Sequence, residues 1–300
     1  ATSLSISADE GGTVAVGATN GRVALLDSDL APASVLAVRA VPAQIDDVAF
    51  NPTSGLLSTG LAERITALSF DDNVTTWNAG GGAPVHSFGG EAEEVADCGF
   101  FHSRVAVTAD GSLMAVTSHD FTVALLDAET GELVHRFETV AGTTLDIDFA
   151  RDDELLIATS ELGTVTVWNV ADRSVAADYD TPLGGFRSID LMPDGSTMAT
   201  VDTTGGLQLV DVLTGQSLLR FDGLAISTTS IALSPDGAML AAPSDDSSIT
   251  VWSTDSGLPL ANLGGHAAVV TDIAFAPDGT WLVTSSDDGT VRRWDLTIST

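Results

Sequence analysis

Lysine is absent from this 300-residue chain. Its 11 basic side chains are all arginine, set against 42 aspartates and glutamates, for a formal net charge of −31. A surface this negative repels phosphate backbones, which argues against nucleic-acid binding, and any charged protein partner should be basic. Cysteine is nearly absent too: Cys98 stands alone, so no intrachain disulfide can form. A chain of this length needs none, because about 75% of its unfolded surface is buried on folding. No apolar run approaches the ~20 residues of a membrane helix, and no signal-type apolar region opens the sequence. The expectation is a cytoplasmic protein without membrane insertion. The sequence starts at Ala1 rather than a methionine, and it is expected to be a segment of a longer chain.

Catalytic signatures are missing as well. There is no G-x-S-x-G, P-loop or H-E-x-x-H pattern. Gly80-Gly81-Gly82 is followed by no helical pattern and reads as a hairpin, not a phosphate cradle. Asp71-Asp72-Asn73, Asp245-Asp246 and Asp287-Asp288 lack the alternating oxygen spacing of a calcium loop and read as hairpin turns. His86, His102, His119, His135 and His266 lack zinc-site spacing. No cofactor, no metal and no catalytic residue are expected.

What the chain has is a repeat. Asp110, Asp152, Asp194, Asp236 and Asp278 recur every 42 residues, and so do Leu126, Trp168, Val210, Trp252 and Trp294. Val105, Ile147, Ile189, Ile231 and Ile273 keep the same period, with Val107, Phe149, Leu191, Leu233 and Phe275 two residues later. Apolar positions at i and i+2 put both side chains on one face of a strand. One unit therefore reads as four short strands, Thr228–Leu233, Ala238–Ser244, Ser248–Ser253 and Leu258–Leu263, joined by Pro-Asp-Gly, Asp-Asp-Ser and Asp-Ser-Gly turns. Ser3–Ser7, Thr13–Ala18, Arg22–Asp27 and Ser34–Val38 form a first unit on the same plan. A second is stretched by an insertion at Leu56–Arg64, and a third is preceded by another at Gly90–His102.

A unit of this length, carrying Trp294-Asp295 in full and Trp77-Asn78, Trp168-Asn169, Val210-Asp211, Leu126-Asp127 and Leu26-Asp27 in degenerate form, resembles the WD40-repeat family. Gly265-His266, 28 residues before Trp294, matches the family's repeat opening. The resemblance implies an all-β, seven-bladed β-propeller of four-stranded antiparallel blades, a single domain over residues 1–300. The blades fall at about 1–39, 40–89, 90–138, 139–180, 181–222, 223–264 and 265–300, the last lacking its outer strand. It also implies a buried hydrogen-bond chain of His266, Thr284, Asp288 and Trp294, complete in the last blade alone, with Asp246 and Trp252 keeping half of it. Such a network is structural rather than a catalytic dyad, because buried polar groups must be paired.

The function this implies is a non-catalytic protein-interaction scaffold or sensing module, monomeric within a larger bacterial multidomain regulator. The alternative is a propeller enzyme or small-ligand binder using the central channel. The candidate partner-binding residues are those of the loops on one face: Phe100, Phe101 and His102 in the acidic insertion, then His119, Phe186, Arg187, Asp245 and Asp287.

Overall fold

The computed structural model describes residues 3–6, 13–18, 22–37, 45–51, 64–69, 74–78, 86–88, 104–117, 122–138, 142–150, 153–181, 185–221 and 230–296. Their strands form meanders. The first sheet is β1 (Ser3–Ile6), β2 (Val14–Gly17), β3 (Arg22–Leu26) and β4 (Pro32–Ala37). The second is β5 (Ile45–Asn51), β6 (Arg64–Ser69), β7 (Val74–Asn78) and β8 (His86–Phe88). The third is β9 (Val105–Val107), β10 (Leu113–Thr117), β11 (Thr122–Asp127) and β12 (Leu133–Glu138). The fourth is β13 (Thr144–Ala150), β14 (Leu155–Ser160), β15 (Thr164–Asn169) and β16 (Val175–Asp180). The fifth is β17 (Phe186–Leu191), β18 (Thr197–Asp202), β19 (Leu207–Asp211) and β20 (Ser217–Phe221). The sixth is β21 (Ala232–Leu233), β22 (Met239–Pro243), β23 (Ile249–Ser253) and β24 (Pro259–Leu263). Last come β25 (Val270–Phe275), β26 (Trp281–Ser286) and β27 (Val291–Asp295). Among the described residues six sheets are four-stranded and the last has three strands, so six complete four-stranded blades are present.

The first strands of successive sheets touch in sequence, β1 to β5, β9, β13, β17, β21 and β25, and β25 returns to β1. The result is an all-β propeller. Each sheet is covered on both faces by its neighbours, which explains the unbroken burial of middle strands such as β14 and β26. The core therefore lies between sheets. Phe137, Ile147, Leu156 and Trp168 join the third and fourth; Leu4, Val14, Val16, Trp281 and Val283 join the last to the first. Outer strands, where the sheets splay apart, alternate and expose Leu133, Val175, Leu218 and Leu260.

The periodic aspartates shape the first turn of each unit. Oδ1 of Asp110, Asp194, Asp236 and Asp278 accepts the amide two residues on, at 2.9–3.0 Å. The glycine that follows each adopts φ of 60–70°, a left-handed conformation that a Cβ disfavours. The fourth unit places Asp153 at that position, with φ 67°. The expected strand Thr228–Leu233 is reduced among the described residues to β21, two residues long.

Candidate functional site

The residues singled out by the family motif meet in the last sheet. Thr284 lies mid-strand on β26, opposite Arg292, and Trp294 lies on β27, opposite Leu282. Asp288 sits in the hairpin between them, and His266 arrives from the segment before β25. His266 Nδ1 lies 2.9 Å from Asp288 Oδ2, its Nε2 2.7 Å from Thr284 Oγ1, and Trp294 Nε1–H donates to the same Thr284 oxygen at 2.9 Å. One proton arrangement satisfies all three contacts: Nδ1–H donates to the carboxylate, the threonine hydroxyl donates to Nε2, and the indole donates to the hydroxyl oxygen. Asp288 also accepts from Ala267 N and from Thr290 N and Oγ1. The Thr290 hydroxyl and the Ala267 amide, foremost, hold its carboxyl well below the usual carboxylate range.

Thr284–His266–Asp288 has the connectivity of a nucleophile–base–acid relay. It cannot act as one in this geometry. Thr284 is fully buried, and its oxygen is already engaged by the Trp294 indole, so no substrate carbonyl can reach it.

Of the expected partner-binding residues, Asp245 and Asp287 are exposed, on the β22–β23 and β26–β27 turns, and Arg187 is half-buried at the bulge of β17. They sit on three different sheets. Phe186 is a correction: it is 3% exposed and packs with Ile157, Val165 and Ile189. As the first residue of β17, just before the bulge, it turns inward between sheets rather than out from a loop. Phe100, Phe101, His102 and His119 lie outside the described residues. Two apolar side chains escaped the sequence reading, Leu162 on the β14–β15 turn and Val269 before β25, 66% and 46% exposed. Val269 lies beside the acidic turn, since its carbonyl accepts Asp287 N.

A second set of polar groups lines the ring's axis. A half-open cavity of about 190 Å³ is bounded by Ser3, Arg104, Asp146, Ser230, Thr271 and Asp272, among others. Arg104 Nε pairs with Asp146 Oδ1 at 3.3 Å. Asp146 Oδ2 accepts Ile189 N at 2.8 Å, Asp190 Oδ2 accepts Leu233 N at 2.6 Å, and Asp272 Oδ2 accepts Leu4 N at 2.7 Å. Each of these carboxylates therefore bridges its own inner strand to that of the next sheet, and the Asp272 bond joins the last sheet to the first. The sequence analysis assigned aspartates to hairpin turns and did not single out these three. Their signal was an acid one residue to either side of the periodic isoleucine, as in Asp146-Ile147-Asp148.

Among the described residues no group of three His, Cys, Asp or Glu could hold a metal ion, and no helix is long and apolar enough to cross a membrane. Residues 215–253 and 257–295 match the family described as WD domain, G-beta repeat. Comparison with curated proteins returns no match. Two of the chain's units thus match WD40 repeats, and its antiparallel sheets form a β-propeller.

Proposed function

We propose that this chain is a non-catalytic interaction scaffold: a ring of seven blades, counting the three-stranded sheet, within a larger bacterial multidomain regulator. The observation that carries the reading is the turn-bearing end of the ring. There Asp245 and Asp287 are exposed, with Val269 against the second of them, on turns anchored by buried strands. Apolar contact area next to fixed charge on a rigid frame suits protein recognition, and the net charge of −31 favours a basic partner through steering and complementarity. The inserted segment with Phe100, Phe101 and His102 belongs to the same proposed surface, with His119 and Arg187.

The test is titration of the chain with labelled arginine-rich and glutamate-rich peptides, followed by fluorescence anisotropy at low and high salt. Basic peptides should bind, weaken with salt, and lose on the order of tenfold in affinity in an Asp245→Arg/Asp287→Arg double variant. Equal binding by the double variant and the parent sinks the assignment of this end.

A second reading, a small-ligand binder using the central channel, is favoured by the axial cavity alone. Its volume of about 190 Å³ and its polar lining fall below the size and apolar character usual for organic-ligand sites, so it ranks second.

A further inference from the structure

Arg104, Asp146, Ser188, Ser230 and Asp272 recur every 42 residues, each directly before the periodic apolar residue of its inner strand, and all five line the axial cavity. In β13, β17 and β25 the pairing register shifts immediately ahead of this position. Such a bulge re-aims the side chain that follows it, here towards the ring's axis. The inner strands β13, β17, β21 and β25 touch in that order. Asp146, Ser188, Ser230 and Asp272 therefore form an arc on the channel wall, with a carboxylate at each end and two hydroxyls between.

The two hydroxyls differ in what they have left to give. Ser188 is 7% exposed and lines the cavity, yet its hydroxyl makes no hydrogen bond among the described residues. Buried hydroxyls are as a rule hydrogen-bonded, so this one lacks the partner its surroundings call for. Ser230 donates its only hydroxyl proton to Asp272 Oδ1 at 2.6 Å, and towards the cavity its oxygen can only accept. Strand amides fix both carboxylates in place: Ile147 N and Ile189 N on Asp146, Ile273 N and Leu4 N on Asp272. The one cation of the lining, Arg104, stands beside Asp146 at the far end of the arc from Asp272. From Ser188 to Asp272 the described wall thus presents oxygen acceptors and a negative charge.

We infer that this arc binds the ammonium group of a small primary amine, seated against the Ser188 and Ser230 hydroxyls with Asp272 as its counter-charge. An ammonium carries three donors and no acceptor, the complement of such a wall.

Size and charge agree with that class. A cavity of about 150 Å³ accommodates benzene, so one of about 190 Å³ takes a molecule of roughly six to eight non-hydrogen atoms. The charged side chains of the lining are Arg104, Asp146 and Asp272, which sum to one negative charge that a monocation neutralises. The net charge of −31 raises the local concentration of cations. The inference rests on the channel reading above and takes nothing from the turn-bearing end of the ring. A lysine side chain of a partner carries the same ammonium chemistry, but its attached backbone has no room in a cavity of this volume.

Isothermal titration of the whole chain at physiological salt tests this with probes of matched size. Aminobutanol should bind at a single site. Butanediol (neutral), hydroxybutyrate (anionic) and tetramethylammonium (cationic but without N–H donors) should each bind at least about tenfold more weakly. So should the amide of N-acetyl-lysine, which stands in for a partner's side chain. Ser188→Ala should weaken aminobutanol about tenfold, since it removes a hydrogen bond to a charged group. Asp255→Asn, on an exposed turn, should keep the parental affinity. Equal binding of tetramethylammonium, or an unchanged affinity in Ser188→Ala, overturns the proposal, because a general negative field then accounts for the result. Tighter binding of the lysine amide reassigns the ammonium to a partner and overturns the free amine. Tighter binding of butanediol or hydroxybutyrate, weakened by Ser188→Ala, overturns the amine but leaves the channel reading standing. Failure of every probe to bind sinks both.

Discussion

Leu4 and Asp272 stand 268 positions apart, yet the Leu4 amide donates to the Asp272 carboxylate at 2.7 Å. The same carboxylate accepts Ser230 Oγ at 2.6 Å and Ile273 N at 2.9 Å, so one side chain ties three sheets together where the ring closes. Arg293 reinforces the joint from further out. Its Nη1 donates to the Ser28 carbonyl at 2.7 Å while its guanidinium lies 4.5 Å from the Trp281 ring centre.

Replacing Asp272 with alanine leaves the Leu4 amide without its carboxylate and should cost about 2–4 kcal/mol, since hydrogen bonds to charged groups are worth about 1.5–3 kcal/mol each. Hydrogen exchange should speed up at Leu4 before it does at amides of β14. Uniform exchange across the ring would show that the closure is not the weak point.

The polar chain of the last sheet predicts a different pattern. Thr284→Val keeps the shape but strands both His266 Nε2 and Trp294 Nε1, and should lower stability by about 2–4 kcal/mol. Trp294→Phe removes one donor from the chain and leaves the Thr284–His266 bond, so it should cost less. Urea midpoints for the two variants, with unchanged slopes, check the order. A Thr284→Val variant as stable as the parent would mean the network contributes nothing net.

At low pH hydrogen-bonded turn carboxylates govern part of the stability. Hydrogen bonds hold Asp110, Asp236, Asp278 and Asp288 below the ordinary carboxylate range, led by Ser112, Ser234, the Thr280 amide and Thr290 respectively. Their contribution is present above the unfolded value of 3.8 and is lost as pH falls towards the depressed folded values. Asp288→Asn should therefore flatten the acid limb of a melting-temperature profile below about pH 4. An acid limb identical to the parent's would rule Asp288 out as a contributor.

Gly185 tests packing rather than charge. A Cβ built there falls 1.9 Å from the Ser160 carbonyl oxygen, a backbone atom that cannot swing aside. Gly185→Ala should destabilise by about 1–3 kcal/mol through overpacking between the fourth and fifth sheets. Gly264→Ala, where nothing lies within 4 Å, should stay within about 0.5 kcal/mol. Equal midpoints for the two variants would contradict the close approach.

How far the sequence could be read depended on whether a signal repeated. The turn aspartates and the paired apolar residues of the inner strands stood out because one physical task, an Asp-capped turn or an apolar strand face, recurs every 42 residues. The His266–Trp294 chain was legible from its motif spacing. Phe186 was misread because a one-residue bulge in β17 reverses which face its side chain takes, and no residue type announces a bulge. Asp146, Asp190 and Asp272 were overlooked because their donors belong to the next unit, in chain order or, for Asp272, around the ring. A bond between units has no local pattern to recognise.

That arrangement has a consequence for assembly. At the joints of the first sheet to the second, the fourth to the fifth, the fifth to the sixth and the last to the first, a carboxylate or hydroxyl acceptor on one sheet meets an amide donor of the next. These joints run head to tail. A molecule opened between Asp272 and Leu4 carries the two complementary halves of a joint at its two ends. Two opened molecules can complete each other, and if the rotation fails to close, more can join. Weakening this closure thus invites exchange of whole sheets between copies, and the first product of damage at Asp272 would be an oligomer rather than an unfolded chain.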